Sequence, residues 1–283
     1  MALDQEFDDE PVKEMTFFEH VDELRKYIIR ALAGVVLFSI FGLAFPHILF
    51  DEIIFGPTHL DFWTYRKMCE LSYLVNNDDT LCLKAIEYAI FSPSITSQFT
   101  QYFMVSIIAG VVMAFPWILY QLWLFIRPAL SDKEIKYAKQ MVGYGSFLFF
   151  LGISFGYFIL TPISLNFLGN FKLMDNIQNQ FTVDSYISFV TMLTLATGII
   201  FELPIIIYFL SKIGLVTAAY LRKYRRYAIL IVVIVAAVLT PPDVTSQVLM
   251  SIPLVILYEI GIMIAARVEK RKAAQTTAEI TKR

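Results

Sequence analysis

The sequence predicts an all-α membrane protein with six transmembrane helices, the fifth and sixth of them short, and both termini on the cytoplasmic side. Three observations carry that reading. Of 283 residues, 57% are apolar and only 17% charged, against ~25% charged in ordinary soluble domains. The apolar residues gather into six runs separated by polar sequence. The basic residues gather on alternate connections between those runs, the pattern that fixes orientation in a bilayer.

The chain starts MALDQEFDDEPVKE, acidic where a cleavable secretory signal would be basic, so the first apolar run is expected to stay as an anchor. Residues 1–15 read as an acidic tail. The stretch that follows, from Met15 to Lys26, has Thr16 and Glu19 at capping-box spacing and Phe17, Val21 and Leu24 on one helical face. It reads as a short amphipathic helix lying on the inner surface.

A helix crossing a ~30 Å hydrocarbon core needs about 20 apolar residues. Runs at 27–49, 102–126, 141–163 and 187–210 meet that need. The fifth and sixth, at 227–239 and 248–265, are short and joined by the turn Thr240-Pro241-Pro242-Asp243. A thirteen-residue fifth segment rises only ~20 Å, so this hairpin is expected to thin the membrane or hold its turn below the outer surface.

All but four of the 23 Lys and Arg residues lie in the N-terminal region, the connections after the second and fourth runs, and the C-terminal end from Arg267 on, which includes the basic, polar tail at 268–283. Arg66, Lys67, Lys84 and Lys172 are the exceptions, and they stand among acidic residues. Six spans with both ends inside is the parity that fits. The loop at about 50–101 is then external, and it holds Cys69 and Cys82. Their spacing suits no common zinc site; it permits a disulfide in an oxidising compartment and equally permits two reduced, partly buried thiols.

Glu202 is the one ionisable residue deep inside a run, in Phe201-Glu202-Leu203-Pro204. A charge at the bilayer centre costs ~2.5–3.5 kcal/mol on insertion scales, so such a residue faces protein or a water-filled cavity. Pro204 removes a helix hydrogen bond and predicts a kink beside the carboxyl group. Glu259, nearer the inner end of the sixth run, is expected to pair with Arg225 or Arg226. Asp243 reads as the cap of that run. Ser131 and Glu134 form a capping box that starts the third, and Glu23 with Lys26 makes an ordinary i,i+3 pair. Both carboxylates also stand on a strongly basic inner face, where a peptide bearing paired arginines would dock through bidentate guanidinium contacts.

Enzymatic chemistry finds no support. There is no H-E-x-x-H, no G-x-S-x-G and no nucleotide loop, and His20, His47 and His59 are scattered, so neither a metal site nor a cofactor is predicted. A net charge of −2 gives no reason to expect nucleic acid. An alternative reading is a proton-coupled secondary transporter in which Glu202 carries the proton, although no internal repeat supports it.

Four motifs in order, His20-Val21-Asp22-Glu23-Leu24-Arg25-Lys26, Trp123-Leu124-Phe125-Ile126-Arg127-Pro128-Ala129-Leu130, Phe201-Glu202-Leu203-Pro204 and Leu239-Thr240-Pro241-Pro242-Asp243, resemble the TatC family, the core receptor subunit of the twin-arginine protein translocase. The resemblance covers about 16–267. It implies a glove-shaped six-helix bundle in the bacterial cytoplasmic (inner) membrane. The bundle would bind twin-arginine signal peptides and work in an oligomeric complex with the small single-span proteins TatA and TatB. Folded cargo would cross at the expense of the proton-motive force. Matched residue by residue, Glu23, Glu134 and Phe125 would contact the signal peptide, Glu202 would be the polar residue of the concave face, and Thr240 and Gln247 would receive a partner helix. Two departures stand out: the external loop is longer than usual between about 58 and 91, and Ser131 replaces a frequent aromatic.

Overall fold

A computed structural model describes residues 17–59, 61–75, 82, 90–126, 132–172, 174, 179–241 and 243–282, with side chains described except at 17–20, 71, 75, 132–140 and 275–282. The fold is helical: α1 (Phe17–Ala44), α2 (Trp63–Val75), α3 (Ser97–Ile126), α4 (Asp132–Phe155), α5 (Thr161–Asn170), α6 (Val183–Ile200), α7 (Leu203–Lys212), α8 (Ala218–Lys223), α9 (Arg225–Leu239) and α10 (Val244–Lys282). A two-residue parallel bridge pairs β1 (Ile90–Phe91) with β2 (Phe181–Thr182). Among the described residues, five stretches are long and apolar enough to cross a membrane: Val21–Ala44, Ser97–Ile126, Met141–Asn170, Val183–Lys212 and Val244–Ala274.

Several expectations change. The stretch at 15–26 is no separate surface helix: α1 runs unbroken from Phe17 into the first span, because no glycine or proline occurs from Phe17 to Ala33 to end it. The sixth segment is not short either. Asp243 Oδ2 accepts from Ser246 N at 2.6 Å and starts α10, which continues for 39 residues. Beyond Ala265 the sequence is rich in Ala, Lys, Arg and Glu, so the helix persists where hydropathy falls. Only the fifth segment stays short, as the 15-residue α9. The acidic tail at 1–15, Ser131 and Pro242 lie outside the described residues.

The third and fourth spans are composite. A π-helical turn at Gly156–Leu160 joins α4 to α5. In the fourth span the regular helix stops at Ile200 and restarts at Leu203, with Pro204 in its first turn. Pro204 has no N–H to give Ile200, and the chain tightens there instead: Glu202 N donates to Ile199 O at 3.1 Å and Ile205 N to Glu202 O at 2.9 Å, both spanning three residues.

α1 is the most exposed span, with Ile29, Leu32, Val36, Leu37 and Ile40 open to the surroundings. It is held by α3. A Cβ at Gly110 would lie 2.7 Å from Ser39 N, so only glycine lets the two backbones approach this closely, the small-residue packing common between membrane helices. Tyr102 Oη donates to Leu43 O at 2.6 Å and Trp117 Nε1 to Arg30 O at 3.0 Å, tying α3 to α1 at two levels.

The segment between the first two spans caps the bundle through hydroxyl groups. Tyr157 and Tyr186 donate to Ile53 O at 2.6 Å and Ile54 O at 2.8 Å, Thr64 donates to Phe158 O, and Phe62 stacks on Phe158. A disulfide joins Cys69 of α2 to Cys82.

At the opposite end, three contacts pin the α7–α9 connection to α10. Glu269 Oε1 accepts from Ala218 N at 2.7 Å, Tyr258 Oη donates to Leu221 O at 2.8 Å, and Arg225 Nε lies 2.6 Å from Glu259 Oε1. Arg225 thus takes the partnership that the sequence left open between two arginines. Glu269→Ala is expected to free the first turn of α8, a loss of about 1 kcal/mol by analogy with helix caps. Limited trypsin digestion at Arg222 and Lys223 should then run about fivefold faster.

Candidate functional site

At the Glu23 end of the bundle, α1 and α3 meet through rings. Tyr27 and Phe125 pack edge to face with centroids 6.2 Å apart, and the Arg30 guanidinium lies 5.8 Å from the Tyr27 centroid. Glu23 stands one turn before Tyr27 on α1 and is half-buried; residues four apart share a helix face. Glu23 therefore shares the face that meets Phe125. Glu134 is the third residue of α4; its side chain lies outside the described residues. A carboxylate in a first helical turn is favoured by the helix dipole. Tyr27, which joins the two elements, was not singled out from sequence, although its i+4 spacing from Glu23 was there to read.

Glu202 sits in the break between α6 and α7 and is 7% exposed. Among the described residues neither carboxylate oxygen has a hydrogen-bond partner. A Cβ placed on Gly145 of α4 would lie 3.3 Å from Glu202 Oε2 and 2.8–2.9 Å from Leu119 and Ile205. Gly145 thus leaves the space that the carboxyl group enters, among apolar neighbours. A buried polar group without a partner costs ~1–3 kcal/mol, and its persistence marks a place where stability is given up. Next to this break, α4, α7 and α10 line an open cavity of ≈ 520 Å³, whose wall includes Leu148, Pro204, Tyr208, Leu257, Ile264 and Arg267.

The α9–α10 turn is polar inside. Thr240 is 6% exposed and its hydroxyl donates to Ala236 O at 2.9 Å. Gln247 Nε2 reaches Val233 O at 3.4 Å, a long bond. Asp243 is buried, and Ser246 meets Ser164 of α5 with hydroxyl oxygens 3.2 Å apart. Pro241 is buried beside them. Thr240 and Gln247 are thus both turned onto the α9 backbone, with Gln247 held the more loosely.

Among the described residues no group of His, Cys, Asp and Glu gathers as metal ligands would. Long apolar spans, one of them broken at a buried carboxyl group, define a multi-pass helical membrane protein. A family model for the Sec-independent protein translocase protein (TatC) matches residues 19–253, and the chain belongs to that family. It is 39% identical over 260 residues to TatC of Blattabacterium sp. subsp. Periplaneta americana, covering 92% of this chain and 98% of the relative. It is 33% identical to TatCy of Bacillus subtilis, covering 94% of each. A solved structure of the twin-arginine translocase receptor TatC superposes with a TM-score of 0.64 and 31% identity over 89% of this chain and all of that one. A second, solved in DDM, gives 0.67 and 34% over 87% and 99%.

Proposed function

We propose that this chain is the receptor and core subunit of a twin-arginine translocase in a bacterial cytoplasmic membrane. The reading gives it six spans, with α9 as the short fifth, and both termini on the cytoplasmic side. The membrane unit is 16–267, flanked by an acidic N-terminal tail and a basic C-terminal one. The carrying observation is the near full-length likeness to two solved twin-arginine translocase receptors.

In this reading Glu23 and Glu134 bind the paired arginines of a signal peptide, with Phe125 packing beside them. The Tyr27–Phe125 contact supports it by joining the Glu23 face of α1 to the end of α3. Glu134 can complement its helix dipole with one oxygen and offer the other to a guanidinium. Thr240 and Gln247 receive a partner helix of TatA or TatB type: a polar side chain from that helix replaces Gln247's 3.4 Å bond at little cost. Folded cargo then crosses using the proton-motive force.

The test places a photoreactive group beside the twin arginines of a signal peptide. Glu23→Ala with Glu134→Ala should cut crosslinking by about tenfold or more, the weight of roughly one charge-assisted bond. Unchanged crosslinking and export would refute the recognition site. The unpartnered carboxyl group of Glu202 also suits a proton-coupled secondary transporter. That reading requires substrate-dependent proton uptake by liposomes containing this chain alone, where a receptor gives none.

A further inference from the structure

We infer that the cavity between α4, α7 and α10 is a binding site for an anionic phospholipid, its acyl chain in the groove and its phosphate on Arg267 and Arg271. The wall is apolar from Leu148, Leu257, Ile260 and Ile264, and both arginines line the same cavity. They are exposed, as is Lys270 beside them on α10. Tyr144 and Tyr208 also line it, and tyrosine hydroxyls are suited to the level of lipid headgroups. At ≈ 520 Å³ the space falls within the ~300–1,000 Å³ of ordinary small-ligand sites.

Length decides between a lipid and a protein helix. From Leu257 to Arg267 or Arg271 the α10 axis rises ~15–21 Å, about one leaflet of a ~30 Å hydrocarbon core. A spanning helix would need a groove twice as long, whereas one acyl chain with its headgroup at the Arg267 end fits. Charge decides between lipids. A phosphate can be shared by two guanidinium groups one helical turn apart, and a juxtamembrane cluster of basic residues prefers anionic headgroups.

Ile260→Cys, labelled with a bimane fluorophore, reports from inside the groove, since the native cysteines are bonded to each other. The full chain is placed in nanodiscs of phosphatidylcholine with increasing nitroxide-chain phosphatidylglycerol, or with nitroxide-chain phosphatidylcholine. Quenching should reach half-maximum at about tenfold less phosphatidylglycerol than phosphatidylcholine, and Arg267→Gln with Arg271→Gln should erase that difference. Equal quenching by the two lipids, or a preference surviving the double substitution, overturns the site. Loss of quenching when a single-span partner is added would make the groove a helix site and also overturns it. The unlabelled chain supplies a second measurement: phosphatidylglycerol should raise its melting temperature more than phosphatidylcholine does, and equal shifts contradict the proposal.

Discussion

Glu202→Leu is expected to stabilise the fold and to abolish export. Both oxygens of Glu202 are buried without partners among the described residues, against Leu119, Ile205 and the open face of Gly145. Replacing them with a leucine of similar volume removes an unsatisfied polar group worth ~1–3 kcal/mol. For a chain of this size the melting temperature should rise by about 3–8 °C. Export of a folded reporter, in cells where this chain is the sole copy, should fall in parallel, a trade of function for stability. Glu202→Gln separates two contributions: it keeps the shape and polarity but never carries charge. If glutamine supports export, polarity at the break suffices; if it fails like leucine, the ionisable group itself is required. A lower melting temperature for Glu202→Leu would mean the carboxyl group holds the helices together, and the functional reading of its burial would fall.

That residue was legible in sequence because an acidic side chain inside an apolar run has only a few explanations, and Pro204 beside it announced the break. The four longer runs were legible for the same reason: hydropathy records what the bilayer demands. Their ends were less so. The apolar run stops at Ala265, yet α10 continues to Lys282, because helix formation depends on propensity and capping as well as on apolarity. The start of the first run differs in the opposite way: the amphipathic pattern changes at Lys26, but the helix does not, and α1 spans both stretches.

What hides from a single sequence is tertiary. The hydroxyls of Tyr157 and Tyr186 find carbonyls more than 100 residues away, and nothing near either tyrosine indicates which. Gly145 reads as an ordinary helix glycine until Glu202 is seen opposite it. Arg267 and Arg271 were counted only as positive charge fixing an orientation, because the cavity they line draws its walls from three separate helices.

The same dependence on remote packing makes Gly110 the strongest test of how the receptor face is assembled. A methyl group there meets Ser39 N at 2.7 Å and Ser39 Cα at 2.9 Å, backbone atoms that cannot rotate away. Gly110→Leu must therefore push α1 off α3, and overpacking of this kind costs ~1–3 kcal/mol or more, a fall of about 3–10 °C in melting temperature. The consequence extends along the helix. Phe125 lies fifteen residues from Gly110, a rise of ~22 Å along α3, and its contact with Tyr27 at 6.2 Å needs α1 at its native distance. Displacing α1 should weaken signal-peptide crosslinking at Glu23 while leaving every residue of that face intact. Ser39→Gly in the same chain removes the side-chain part of the clash but not the backbone part, so it should restore crosslinking only in part. Full crosslinking in Gly110→Leu alone would show that the Glu23 face is positioned independently of the α1–α3 packing.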